Sequence, residues 1–197
     1  MTSLQHELGK KRPFDEPGQE LFLSIIRTAA TVDTPLANLL HNVGLSGATY
    51  NVLRILRGAT LGDKPQTEVT CGHISKHLVS PVPDVTRLID RLENLKFASR
   101  RRSTDDRRVV FVQITEAGLS VLATLDGPII ESHRQQFSHL SKVEIAELIR
   151  LLERARESGP MTRDGKPAQA EAAANTSDIA LPPRLRSKAA SGNKSQR

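Results

Sequence analysis

Two structure-setting runs stand back to back between Thr70 and Thr115, and together they constrain the fold more than any other part of the chain. In the first, Val85, Leu88, Ile89, Leu92 and Leu95 recur at three- and four-residue intervals, which puts them on one helical face that must be buried. The opposite face carries Asp84, Thr86, Arg87, Asp90, Arg91 and Asn94. A solvated helix would present such groups, and so would a helix laid against nucleic acid. Ahead of it, Val79-Ser80-Pro81-Val82-Pro83 is too rich in proline for a helix interior and reads as a turn. Before the turn lies a shorter helix holding Ile74 and Leu78, with Thr67 or Thr70 as its cap.

The second run begins with Ser99, Arg100, Arg101, Arg102 and Ser103, passes a polar turn at Thr104, Asp105 and Asp106, and continues through Arg107 and Arg108 into Val109 to Thr115. Val110, Val112 and Ile114 alternate with Val109, Phe111 and Gln113, the pattern of a strand, and the basic segment is its natural partner. Helix, turn, helix and basic hairpin in unbroken order make a winged helix-turn-helix. Arginines in such a wing are placed to enter a minor groove while the second helix lies in the major groove.

Composition supports that reading without deciding it. Net charge is +6, which suits a polyanionic partner or a merely solubilising surface, and the clustering of arginine in the hairpin favours the polyanion. Aromatic residues make up 3% of the 197 residues and Trp is absent, so the core must be aliphatic, as in helical proteins. Cys71 is the single cysteine, so an intrachain disulfide framework is excluded. No segment has signal-peptide or membrane-span character, and a soluble cytoplasmic protein with no membrane partner is expected.

Along the chain, residues 1–17 read as a flexible arm, 18–157 as one domain with dimerisation helices, and 158–197 as a disordered basic tail without periodicity. The helix-turn-helix spans about 70–97 and the wing about 99–114. Leu21, Phe22, Ile25, Ile26 and Ala29 form an apolar stripe on a first helix expected to end or bend near Asp33 to Pro35. Ser46 caps the next helix and Thr115 the one after the hairpin, which Gly127 and Pro128 should kink or restart. Ser141 and Glu144 fit a capping box for a last helix. These late helices carry more apolar surface than a small winged domain can cover, which points to a homodimer.

The chain resembles the MarR family of bacterial winged-helix regulators over roughly 44–125. The residues that carry the likeness are Gly44-Leu45-Ser46 with Tyr50-Asn51-Val52-Leu53-Arg54, then Asp84 through Glu93, then Asp106-Arg107-Arg108-Val109-Val110 leading to Ile114-Thr115-Glu116-Ala117-Gly118. The resemblance implies a homodimer on an inverted-repeat operator in double-stranded DNA. One recognition helix enters each half-site, the commoner outcome is repression, and a small phenolic effector or an oxidant brings release. By position, Ser80, Pro83, Asp84, Thr86, Arg87 and Arg91 belong to the reading helix or its lead-in. Arg107 matches the wing residue that enters the minor groove, and Asp106 and Arg108 match the pair that shapes the wing; from the arginine cluster itself, Arg100, Arg101 and Arg102 are expected to contact DNA with them. The family's glycine at the end of the recognition helix is replaced here by Leu95-Lys96-Phe97, so a different helix exit is expected.

Other chemistries find less support. His73 and His77 share a helix face near Cys71, but no carboxylate or further cysteine stands nearby, and no metal or other cofactor is expected. No nucleophile elbow, phosphate-cradling loop or zinc-protease motif occurs, so no enzyme is expected. Two further classes stay open at this point: a nucleic-acid or chromosome-binding protein that contacts only backbone, and a winged-helix interaction module in which Asp84 and the prolines have replaced DNA-contacting groups.

Overall fold

The computed structural model describes residues 3–61, 68–103 and 109–157. The chain divides into two units, 1–141 and 142–197, and the described part of the second is one helix, α7 (Lys142–Glu157). Within the first unit, α1 (Leu4–Glu7) is a single turn capped by Ser3, and α2 (Pro17–His41) and α3 (Gly47–Ala59) follow. Then come β1 (Val69–Thr70), α4 (Cys71–His77), α5 (Val85–Asn94), β2 (Ala98–Arg102), β3 (Val110–Ile114) and α6 (Glu116–Gln136). The sheet order is β1-β3-β2, antiparallel throughout, with Arg100 opposite Val112 and Val69 opposite the same residue on the other side. This is a mainly α winged helix-turn-helix in which β3 is the central strand. Among the described residues no helix is long and apolar enough to cross a membrane.

The core is aliphatic, as the scarcity of aromatics requires. Val52, Leu53, Ile74, Ile89, Leu92 and Val112 are fully buried, so α3, α4, α5 and the central strand share one interior. Val85, Leu88 and Leu95 pack at its edge. Caps set the helix starts: Ser46 and Thr49 form a reciprocal capping box on α3, Thr70 accepts the N–H of His73, and Thr115 accepts the N–H of Gly118. The side chain of Arg57 in α3 donates to Asp126 in α6 at 2.7 and 2.8 Å. These hydrogen bonds hold the Asp126 carboxyl below its ordinary range and raise the arginine.

Of the outcomes expected at the two prolines, a helix end or restart does not occur: both are carried inside continuous helices. Pro35 lies within α2 and Pro128 within α6. Each removes one backbone hydrogen bond, and the surrounding packing outweighs the loss. Leu40 is fully buried beyond Pro35, Leu125 and Ile129 are buried on either side of Pro128, and Gln136 Nε2 donates to the Val32 carbonyl at 3.0 Å, tying α6 to α2. The two-residue strand β1 has no signal that sequence periodicity could register; it exists because Val69 and Thr70 find the free edge of β3.

The exit from α5 shows how the missing glycine is replaced. Lys96 takes a left-handed backbone, φ 65°, while its N–H bonds to the Glu93 carbonyl and that of Phe97 to the Leu92 carbonyl. This is the closing pattern glycine usually serves, and an L-residue adopts it at a cost of about 1 kcal/mol or more. Lys96→Gly is therefore expected to stabilise the fold by about 1 kcal/mol, read as a higher urea midpoint with an unchanged slope. A lower midpoint would show that the lysine side chain contributes more than the backbone loses.

Candidate nucleic-acid interface

The turn between α4 and α5 is built by side chains reaching into its backbone. Asn51 Oδ1 on α3 accepts the N–H of Val79 at 2.8 Å and anchors the start of the turn. Asp84 ends it: its Oδ1 accepts the N–H of Thr86 at 2.9 Å and of Arg87 at 3.3 Å, which satisfies two orphan donors and sets a negative charge at the positive end of the helix. Pro81 and Pro83 cannot donate to such a network, and both sit exposed in the turn.

The outer face of α5 is open. Ser80, Pro83, Asp84, Thr86, Arg87 and Arg91 are all exposed and are brought onto one surface. The Arg87 side chain is 87% exposed and leans on Asp84 at 3.3 Å. Arg91 donates to the carbonyl of Gly44 at 2.9 Å, so one of its nitrogens is committed to the end of α2.

The arginines of β2 differ sharply from one another. Arg100 points back onto α5, forming ion pairs with Asp90 and with Glu93, and its side chain is only 23% exposed. Arg101 lies over Phe111 and makes a two-pronged pair with Glu68 at 2.7 and 2.9 Å. Its hydrogen bonds hold the Glu68 carboxyl below its ordinary value. Arg102, at the end of the strand, is exposed. Asp106, Arg107 and Arg108, expected at the wing tip, lie outside the described residues, as does the tail from 158 onward. From sequence, Asp90 and Glu93 are surface partners for Arg87 and Arg91; the structure pairs them with Arg100 instead, and Glu68, which carries no signal until the fold brings it to Arg101, was not singled out.

A cavity of about 460 Å³ lies beneath the turn, lined by Asp33, Leu36, Tyr50, Asn51, Val79 and Val82 among others. Among the aromatics, Tyr50 lines this cavity, Phe22 is exposed and Phe137 is half-buried. His73 and His77 stack face to face with centroids 4.2 Å apart, so their in-plane lone pairs do not converge on one point.

Comparison with known proteins agrees with this architecture. The family described as transcriptional regulator SarA/Rot matches residues 41–125. A MarR transcription factor from Planctomyces limnophilus is 37% identical, covering 72% of this chain and 98% of its own, with a TM-score of 0.55. The HTH-type transcriptional regulator MhqR of Bacillus subtilis is 27% identical over 139 residues, 71% of this chain and 91% of the relative. The MarR C80S mutant of E. coli complexed with operator DNA shares the fold at a TM-score of 0.59 and 21% identity, covering 78% of this chain and 99% of its own. With 37% identity to the Planctomyces limnophilus factor, 98% of which is covered, on a winged helix of the same order, the chain belongs to the MarR family of winged helix-turn-helix transcriptional regulators.

Proposed function

We propose that this regulator binds an inverted-repeat operator as a homodimer and represses transcription from it. One α5 helix enters the major groove of each half-site, with half-sites about 34–36 Å apart. The observation that carries this reading is the open face of α5, on which Thr86 and the almost fully exposed Arg87 stand beside the strand that leads to the wing. Asp84, the feature that favoured an interaction module, is used as the helix cap, which removes the main argument for that alternative. Arg102 supplies groove and phosphate contacts, and Arg107 and Arg108, outside the described residues, keep the same role expected of them from sequence.

The test is selection of random duplex DNA on the purified protein at near-physiological salt. An enriched palindrome supports the reading, and retention without an enriched sequence would replace it with backbone binding. Arg87→Ala is expected to weaken binding to the selected duplex by about 1–3 kcal/mol and to relax preference at one base pair. Unchanged affinity would remove Arg87 from the reading face.

The same geometry supports release by a small effector as part of this proposal. An occupant of the cavity would press on Val79 and Val82 and displace the lead-in to α5. Adding small phenols to the retained complex and measuring loss of retention tests this step.

A further inference from the structure

The exposed face of α5 carries a charge of the wrong sign for a helix that meets DNA. Thr86, Asp90 and Asn94 follow one another at four-residue spacing and form a single row on that face, with Arg87 and Arg91 beside it. Asp90 is thus the centre of the row, and Glu93 flanks it. Bringing two carboxylates up to phosphates is unfavourable unless a cation stands between them and the polyanion.

Arg100 is that cation. It comes from β2, ion-pairs with Asp90, and sets its Nε 2.8 Å from Glu93 Oε2. Its Nε is sealed from solvent, with the N–H not aligned for a hydrogen bond, and the side chain is mostly covered. To reach a phosphate Arg100 would have to leave both carboxylates uncovered. Resting on the DNA-binding reading above, we propose that Arg100 is a positioning residue that screens Asp90 and Glu93, so that the face of α5 can approach a polyanion, and that it does not itself touch DNA. Its neighbours in the strand have other tasks: Arg101 is committed to Glu68, and Arg102 stands exposed toward the wing.

Screening and direct contact predict opposite outcomes when the carboxylates are removed as well. Four full-length proteins are compared: wild type, R100Q, D90N/E93Q and R100Q/D90N/E93Q. Binding is measured on the duplex that wild type selects and on a random-sequence duplex at low salt, with thermal melting of each free protein. R100Q is expected to lose at least about tenfold in affinity on both duplexes. The triple variant should return to within about threefold of wild type, and D90N/E93Q should bind at least as well as wild type. A triple variant as weak as R100Q would overturn the proposal, because a phosphate-contacting Arg100 is not rescued by neutralising its partners; a melting temperature that falls in R100Q and recovers in the triple variant in step with affinity would also overturn it, by making the role purely structural. Weakened binding by D90N/E93Q would also overturn it, by making Asp90 or Glu93 a reader of bases. If R100Q does not melt as a folded protein, R100K takes its place; affinity within about threefold of wild type supports screening, and a loss as large as tenfold overturns it. Failure of the operator reading shows separately, as no enriched sequence with wild type, while the rescue remains measurable on the random duplex. Wild type that binds neither duplex would overturn both.

Discussion

Gly118→Ala is expected to destabilise the winged domain by about 3 kcal/mol, enough to lower the melting temperature by roughly 6–12 °C. A Cβ placed on Gly118 would stand 2.2 Å from the carbonyl oxygen of Phe97 and 2.8 Å from a side-chain carbon of Ile114. Neither can retreat cheaply. The Phe97 carbonyl accepts the N–H of Thr115 at 3.1 Å, and the Thr115 hydroxyl donates to the Lys96 carbonyl at 2.7 Å, so the start of α6 is bonded directly to the exit of α5. Pushing them apart breaks the junction that holds α5 against the base of the wing. Gly58→Ala is the control: nothing lies within 4 Å of its added Cβ near the end of α3, and the better helix former should stabilise by up to about 1 kcal/mol. Two equal, small effects in a urea titration would show that the close approach at Gly118 relaxes without cost.

Replacing Phe22 and Ile26 together by Glu is expected to abolish the proposed dimer and to lower operator affinity by at least about a hundredfold, because a lone protomer loses the second half-site. The two side chains are 62% and 54% exposed on α2, next to Leu21 and Ile25, which are also exposed. Four apolar residues in two adjacent turns form an uncovered patch of the kind that a second copy buries. α7 likewise exposes Val143, Leu148, Ile149 and Leu151 along its own length. Since Phe22 and Ile26 make no part of the buried core, the protomer should keep its helical circular dichroism while sedimentation reports the lower mass. A dimer that persists with both glutamates would place the interface elsewhere.

How much of this could be read in advance depends on the range over which each feature is determined. The buried face of α5 was legible because Val85, Leu88, Ile89, Leu92 and Leu95 repeat within eleven residues, and all five lie in or against the core. Ser46 and Thr115 were legible as caps for the same reason, since a cap and its N–H partners are three residues apart. The strand of the hairpin, with its β-branched alternation, was equally local and pairs with the basic segment as expected.

Other features were set at a distance. Pro35 and Pro128 are locally helix-breaking, yet α2 and α6 run through them, because burial of Leu40, Leu125 and Ile129 outweighs the loss of one hydrogen bond apiece. The arginines of β2 were equivalent in sequence and unequal in structure. Arg100 and Arg101 are adjacent in the strand, so they point to opposite faces; one finds Asp90 and Glu93, the other Glu68. The sequence by itself determined a winged helix-turn-helix with an arginine-bearing second helix, since periodicity, caps and turn residues act over a few positions. Only the tertiary structure decided which of those arginines are free to meet a partner, because an ion pair depends on where distant carboxylates come to rest when the chain folds.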